Sequence, residues 1–284
     1  MTSPSFQKLV MLKSQVFPTI SDSSSVQPFL EFLNVGLEHT VNRRTLHVID
    51  NVSLKVERSE FISIVGPSGC GKTSLLKMVS GLSPTLRGQV LFRGERIKRP
   101  LRNVGIAFQN PVLLPWRNTL GNVLLPLEIV QPYKQQLKQK LPQYIKTAQD
   151  LLVTVGLEDF QKQYPWQLSG GMKQRASLCR AVIHQPEILL LDEPFAALDA
   201  FTREEMWLML QKLWQRIQCT SILVTHDLRE AVFLSDTVYV MGRRPSKIIY
   251  QLKINLPRPR SIEMCFTDEF NHLVSDIRKQ IKHI

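Results

Sequence analysis

No stretch of this sequence approaches the ~18 consecutive apolar residues that a membrane-spanning helix needs, so no such helix is expected in its 284 residues. Cysteine is scarce: Cys70, Cys179, Cys219 and Cys265 stand far apart, with no C-x-x-C spacing. That argues against a disulfide framework or a zinc site and points to a reducing compartment. Acidic residues are in deficit, with 24 Asp and Glu against 36 Lys and Arg, a formal charge of +12. Such a balance admits nucleic acid or an anionic membrane surface as partners. The excess is scattered rather than blocked, which equally fits a solvated, mildly basic surface. Aromatics are not interleaved with basic residues as a single-strand binding groove requires. No signal peptide is expected, because Leu9-Val10-Met11-Leu12 is too short for its apolar core. A flexible polar leader is expected over residues 1–27, an organellar transit peptide being the alternative.

What is present begins with an apolar share of 43%, ample for a core, in a length that holds one large domain with or without an appendage. The most informative stretch is Gly66-Pro67-Ser68-Gly69-Cys70-Gly71-Lys72-Thr73, which fits G-x-x-x-x-G-K-[ST] without a gap. Phe61–Val65 before it reads as a buried strand, and Ser74–Val79 after it reads as a helix. That context gives the pattern its chemistry. Glycines let successive N–H groups turn inward on phosphate oxygens, and the helix N-terminus adds its dipole. Lys72 supplies a point charge, and the Thr73 hydroxyl is an Mg²⁺ ligand. A nucleoside triphosphate site is predicted, with residues Gly66 to Ser74 around the phosphates. Cys70 lies inside the loop, where a lowered thiol pKa is one reading and a simple space-filling role the other.

Strands are expected at Phe29–Val35, Val48–Val56, Gln89–Phe92, Val104–Phe108, Ile188–Leu191 and Ser221–Val224. Between Asn118 and about Leu168 the pattern is helical and amphipathic, with Pro126, Pro132 and Pro142 as expected breaks. A helix over Arg203–Gln218 places Met206, Leu210, Leu213, Trp214 and Ile217 on one buried face. After Pro257 the chain is basic, with a short helix expected from Phe270.

A second anion site is expected at Leu168-Ser169-Gly170-Gly171-Met172-Lys173-Gln174-Arg175, where Ser169 caps a helix and paired glycines bare its first N–H groups. By itself this is also an ordinary capped helix start. Downstream, Ile188-Leu189-Leu190-Leu191-Asp192-Glu193-Pro194 puts two carboxylates at the carboxyl end of a buried strand, where open α/β sheets bind ligands. Asp192 is the candidate Mg²⁺ ligand, and Glu193 the candidate base for an attacking water. Gln109, ending its strand, is placed to reach the metal or the water. His226, ending Ser221–Thr225, is placed to reach a γ-phosphate.

Together these residues resemble the nucleotide-binding subunit of ATP-binding cassette (ABC) transporters, over roughly Phe29 to Leu256. The resemblance rests on six motifs in the family's order: Gly66–Thr73, Gln109, Leu168–Arg175, Asp192-Glu193, Ala197-Leu198-Asp199 and His226. It implies an α/β P-loop NTPase core with a mostly parallel sheet, an antiparallel β subdomain and an inserted helical subdomain at about 110–175. The core domain would span 28–256, followed by a basic tail over 257–284. It also implies ATP and Mg²⁺ as ligands and a head-to-tail dimer. Each nucleotide would lie between one subunit's phosphate loop and the other's Ser169, Gly170 and Gly171, with Asp199 at the interface. Gln109 would sense a transmembrane permease, and Arg117 would lie near the groove that receives it. His39 falls where the family stacks an aromatic ring on adenine, and imidazole stacks less strongly.

Finer features resemble the importer branch for nitrate, sulfonates, taurine and related compounds: Leu113–Asn118, Tyr164–Gln167, Pro194–Arg203, His226–Asp236 and Pro257-Arg258-Pro259-Arg260. That branch implies an extracytoplasmic solute-binding protein as a further partner. It also implies a peripheral location on the cytoplasmic face of the inner membrane, with no nucleic acid expected. The alternative is a soluble ABC ATPase acting on nucleic acid or ribosomes, although such relatives usually carry two cassettes or long insertions. A small-molecule kinase would not explain Ser169-Gly170-Gly171 or His226.

Overall fold

The computed structural model describes residues 27–41 and 44–282. The leader expected over 1–27 therefore lies outside the described residues except at its last position. Two sheets organise the described residues. The antiparallel one begins with β1 (Leu30–Val41) and β2 (Arg44–Val56), which pair with each other, and β1 pairs on its other side with β4 (Arg87–Phe92). A short β5 (Glu95–Arg96) completes the order β2-β1-β4-β5.

The second sheet runs β10-β9-β3-β8-β7-β6. Its central strands are β3 (Phe61–Val65), β8 (Thr220–Val224) and β7 (Ile188–Asp192), all mutually parallel. β6 (Val104–Ala107) and β9 (Thr237–Met241) extend the parallel part on either side. β10 (Ile248–Lys253) closes it antiparallel. Alternation along each strand divides the core. Ile62, Ile64, Leu190, Ile222 and Val224 face the antiparallel sheet and α1 (Lys72–Val79), whereas Phe61, Val65, Leu189, Leu191 and Leu223 face the other helices. Strands buried on both faces read as continuous apolar runs for this reason. Leu75 and Val79 of α1 are completely buried, each stabilising the layer by roughly 1.5–3 kcal/mol.

The helical segment comprises α2 (Thr119–Ile129) and α3 (Tyr133–Thr154), packed on each other and on α4 (Gly170–Val182). Pro132 falls at the break between α2 and α3 as expected, capping the start of α3, but Pro126 and Pro142 lie inside α2 and α3. In α2 the buried face of Asn122, Val123 and Leu127 holds the helix despite the missing N–H donor. Pro142 sits on an exposed turn, where water meets the acceptor it leaves free. α5 (Ala200–Ile217) buries Met206, Leu210 and Leu213 as expected, with Trp207 added. The last elements are α6 (Leu228–Leu234), which follows β8, and α7 (Asp268–Lys282), which packs on α6 through buried Phe270 and Ile277. No helix among the described residues is long and apolar enough to cross a membrane.

Candidate functional site

The parallel register assembles the site. Ile64 lies opposite Val224, Val224 opposite Asp192, and Leu191 opposite Ala107. The segments that leave these strands, Gly66–Thr73, His226, Glu193 and Gln109, therefore emerge along one edge of the sheet. That edge is the carboxyl end of the strands, where α/β sheets bind ligands.

At the first of these exits the chain turns tightly enough to cap α1 with Gly71, at φ 106°. A Cβ there would stand 2.9 Å from Ile49 Cγ1, so glycine is required for both conformation and space. No side chain caps the first turn and none of its residues is acidic, which leaves its N–H groups to an external anion. Lys72 is buried, and its ammonium donates to the carbonyls of Gly66 (2.9 Å) and Pro67 (3.0 Å). Two residues from the β9–β10 connection brace the loop: Arg244 donates to the Gly69 carbonyl and buried Ser246 to that of Cys70. Sequence reasoning missed both, since nothing local in Arg243-Arg244-Pro245-Ser246 marks a partner 175 residues upstream. The thiol of Cys70 is buried, and that burial pushes its pKa up in spite of nearby Lys72. The lowered pKa considered for it is thus corrected: desolvation of the thiolate outweighs the attraction of the ammonium.

Across the edge, the Thr73 hydroxyl donates to Asp192 Oδ1 at 2.9 Å. Burial raises the Asp192 pKa, the Thr73 bond opposes it, and the adjacent Glu193 raises it further. A divalent cation would relieve that charge crowding. Among the described residues no group of three His, Cys, Asp or Glu side chains converges. A cation at Thr73 and Asp192 would therefore complete its oxygen shell from phosphates and water, as Mg²⁺ does in triphosphate sites. The donor set fits that ion.

Glu193 adopts φ 45°, left-handed for a residue with a Cβ and strained by on the order of 1–2 kcal/mol. Its N–H continues the ladder to the Val224 carbonyl at 2.9 Å, while the left-handed turn redirects the chain after the strand. Its Oε2 lies 3.1 Å from Nδ1 of His226, with the imidazole 60% exposed. An exposed pair of this kind contributes at most about 1 kcal/mol, so stability does not explain the strain. Gln109, exposed, follows β6 at the same edge, where the Gln174 amide holds the preceding Phe108 carbonyl at 3.2 Å.

The serine-glycine segment stands elsewhere. Ser169 caps α4, accepting from Met172 N at 3.3 Å, and both Ser169 and Gly170 are exposed. A Cβ on Gly170 would meet nothing within 4 Å. α4 packs on α2, α3 and β6, whereas α1 packs beneath β7 and β8. The two anion-ready helix ends therefore belong to different layers. Asp199, capping α5, accepts from Thr202 N (3.0 Å) and Thr202 Oγ1 (2.7 Å), bonds that hold its carboxyl below the usual range. His39 lies in β1 opposite Leu46, and its side chain is outside the described residues.

A strand edge that gathers a phosphate cradle, a carboxylate pair and an imidazole defines a P-loop ATPase, with an additional exposed helix start capped by Ser169. Residues 49–196 match the ABC transporter family, and the chain belongs to it. Among curated relatives, the aliphatic sulfonates import ATP-binding protein of Bacillus cereus is 39% identical over 77% of this chain and 83% of its own. The taurine import ATP-binding protein of Escherichia coli K12 is 41% identical over 74% of this chain and 80% of its own. A solved dimeric structure of a bacterial ABC transporter cassette superposes with a TM-score of 0.67 at 28% identity, covering 80% of this chain and 100% of that one. The same cassette in a post-hydrolysis state with ADP and Pi gives an equal TM-score.

Proposed function

We propose that this chain is the ATP-binding and ATP-hydrolysing subunit of an importer for small solutes of the nitrate, sulfonate, taurine or related class. The observation that carries this reading is the pairing of Thr73 with Asp192 and of Glu193 with His226 along one sheet edge. In this reading the N–H groups of Gly66 to Ser74 and the Lys72 ammonium hold the phosphates of ATP. Thr73, Asp192 and Gln109 would hold Mg²⁺, which would supply charge neutralisation for the triphosphate. Glu193 takes a proton from water as that oxygen attacks the γ-phosphorus and ADP leaves. His226 donates a hydrogen bond to the γ-phosphate.

Ser169, Gly170 and Gly171 bind the nucleotide of a second copy, arranged head to tail, with Asp199 at the interface. The openness around Gly170 supports this, because its own chain does not fill that space. His39 stacks on adenine. The ATPase domain spans 28–256, with the helical subdomain at 110–175 and a tail beyond 257. Exposed Val112 and Trp116, beside the Arg117–Glu128 ion pair (2.6 Å), form the surface for a permease at the cytoplasmic face of the inner membrane. A solute-binding protein on the far side delivers the substrate.

Affinity purification from detergent-solubilised membranes, with mass spectrometry of what copurifies, tests the assignment. A multi-span permease is the expected companion. Recovery of soluble proteins or nucleic acid alone would overturn transport in favour of a soluble ATPase.

A further inference from the structure

Arg260 is almost fully buried, at 2% exposure. Its guanidinium hydrogen-bonds to carbonyls. Nη1 donates to those of Val232 (2.8 Å), Phe233 (3.0 Å) and Ser235 (2.8 Å), and Nη2 to Ile254 (3.5 Å) and Leu256 (3.4 Å). Arg258 takes the intervening Leu234 carbonyl at 2.6 Å and Asp236 Oδ1 at 2.8 Å, with its guanidinium over the Trp214 ring. Ser235 N already serves Ala231. The two arginines therefore fill every carbonyl that the carboxyl end of α6 leaves over, from Val232 to Ser235. A buried cation is costly to desolvate, and the negative end of a helix is a fitting counter-charge.

The other end of α6 begins two residues after His226. Asp227 caps it, accepting from Arg229 N (2.9 Å) and Glu230 N (3.2 Å), and pairs with Arg203 of α5 at 3.0 Å. Further along α5, buried Gln211 accepts from the backbone N of Arg260 (2.7 Å) and donates to its carbonyl (2.8 Å). A helix of seven residues spans only about 10 Å, so it behaves as a rod fixed at both ends on α5. We propose that Arg258 and Arg260 are positioning residues for hydrolysis: by clamping the far end of α6 they set where His226 stands relative to Glu193. This rests on the reading that His226 serves the γ-phosphate.

The test is single-turnover and steady-state ATP hydrolysis by the full-length protein, with melting temperature measured alongside. The variants are Arg258→Gln and Arg260→Lys, each alone and combined with His226→Ala. Arg260→Lys keeps the charge but loses the planar fork. Small misplacement of a catalytic group lowers the chemical rate more than binding. Both single variants are therefore expected to lower kcat about tenfold, with KM for ATP within about twofold. In the His226→Ala background neither should lower kcat further. A full additional tenfold loss in that background would overturn the clamp and leave only a structural role. So would an unchanged kcat at a lowered melting temperature. If His226→Ala alone hydrolysed ATP at the wild-type rate, the assignment of His226 would fall first, and this inference with it.

Discussion

Glu193→Gln should remove a base and almost nothing else. Glu193 already occupies the left-handed region at φ 45°, and glutamine bears the same penalty of about 1–2 kcal/mol there, so the backbone cost does not change. The pair with His226 spans 3.1 Å and its imidazole is largely exposed, so its loss is limited to about 1 kcal/mol. A glutamine amide can still bond the imidazole. Turnover is a different matter, because a positioned general base contributes roughly 10²–10⁴-fold, or about 3–5 kcal/mol of barrier. Phosphate release, equilibrium nucleotide binding and thermal denaturation, measured on one preparation, separate these terms. The expected result is turnover reduced about a thousandfold, with ATP affinity retained and a melting shift of no more than about 4 °C. Turnover above about a tenth of wild type would refute Glu193 as the base. The companion Glu193→Gly should lose turnover equally while melting higher, because glycine is unstrained at this φ.

Lys72→Met removes the ammonium while keeping much of its buried stem, and nucleotide affinity should fall by at least about tenfold. Calorimetry showing wild-type binding would remove Lys72 from the cradle. Asn122→Ala breaks a buried node: the amide donates to Leu114 (3.1 Å), Arg117 (2.9 Å) and Asn118 (3.1 Å) and accepts from Leu114 N (2.7 Å). Urea denaturation should register a loss of about 2–4 kcal/mol, and limited proteolysis should open the segment at 112–118. Glu230 is buried beside Asp227, and that burial raises its pKa well above the usual carboxylate range. The folded state therefore holds this proton more tightly than the unfolded chain does. Its contribution to stability is present at low pH and is lost as pH rises from the ordinary carboxylate pKa through the folded one. Glu230→Gln should flatten that part of the stability–pH curve, and an unchanged slope in denaturation at several pH values would count against it.

The elements most legible in the sequence are those whose chemistry is contiguous. The phosphate cradle is made by consecutive N–H groups, so Gly66–Thr73 with its strand and helix could be read locally. Strands buried on both faces, such as Ile188–Asp192, announce themselves as apolar runs. Ser169 was legible as a cap because a cap acts on N–H groups only three residues away. Proline was misread for the same reason: Pro126 and Pro142 are local breakers, and only packing on neighbouring helices shows why α2 and α3 continue through them.

The sequence by itself determined which residues carry charge, which loop turns inward on an anion and which strands end in carboxylates. Tertiary structure alone decided which of these meet. Thr73 finds Asp192 across 119 residues and Glu193 finds His226 across 33, because the parallel register aligns the ends of strands that the sequence lists far apart. It also decided that Cys70 is a buried thiol rather than a reactive one, and that Arg244, Ser246 and Arg260 are supports. Those outcomes follow from desolvation and from carbonyls left unpaired at loop and helix ends, quantities that exist only once the chain has closed on itself.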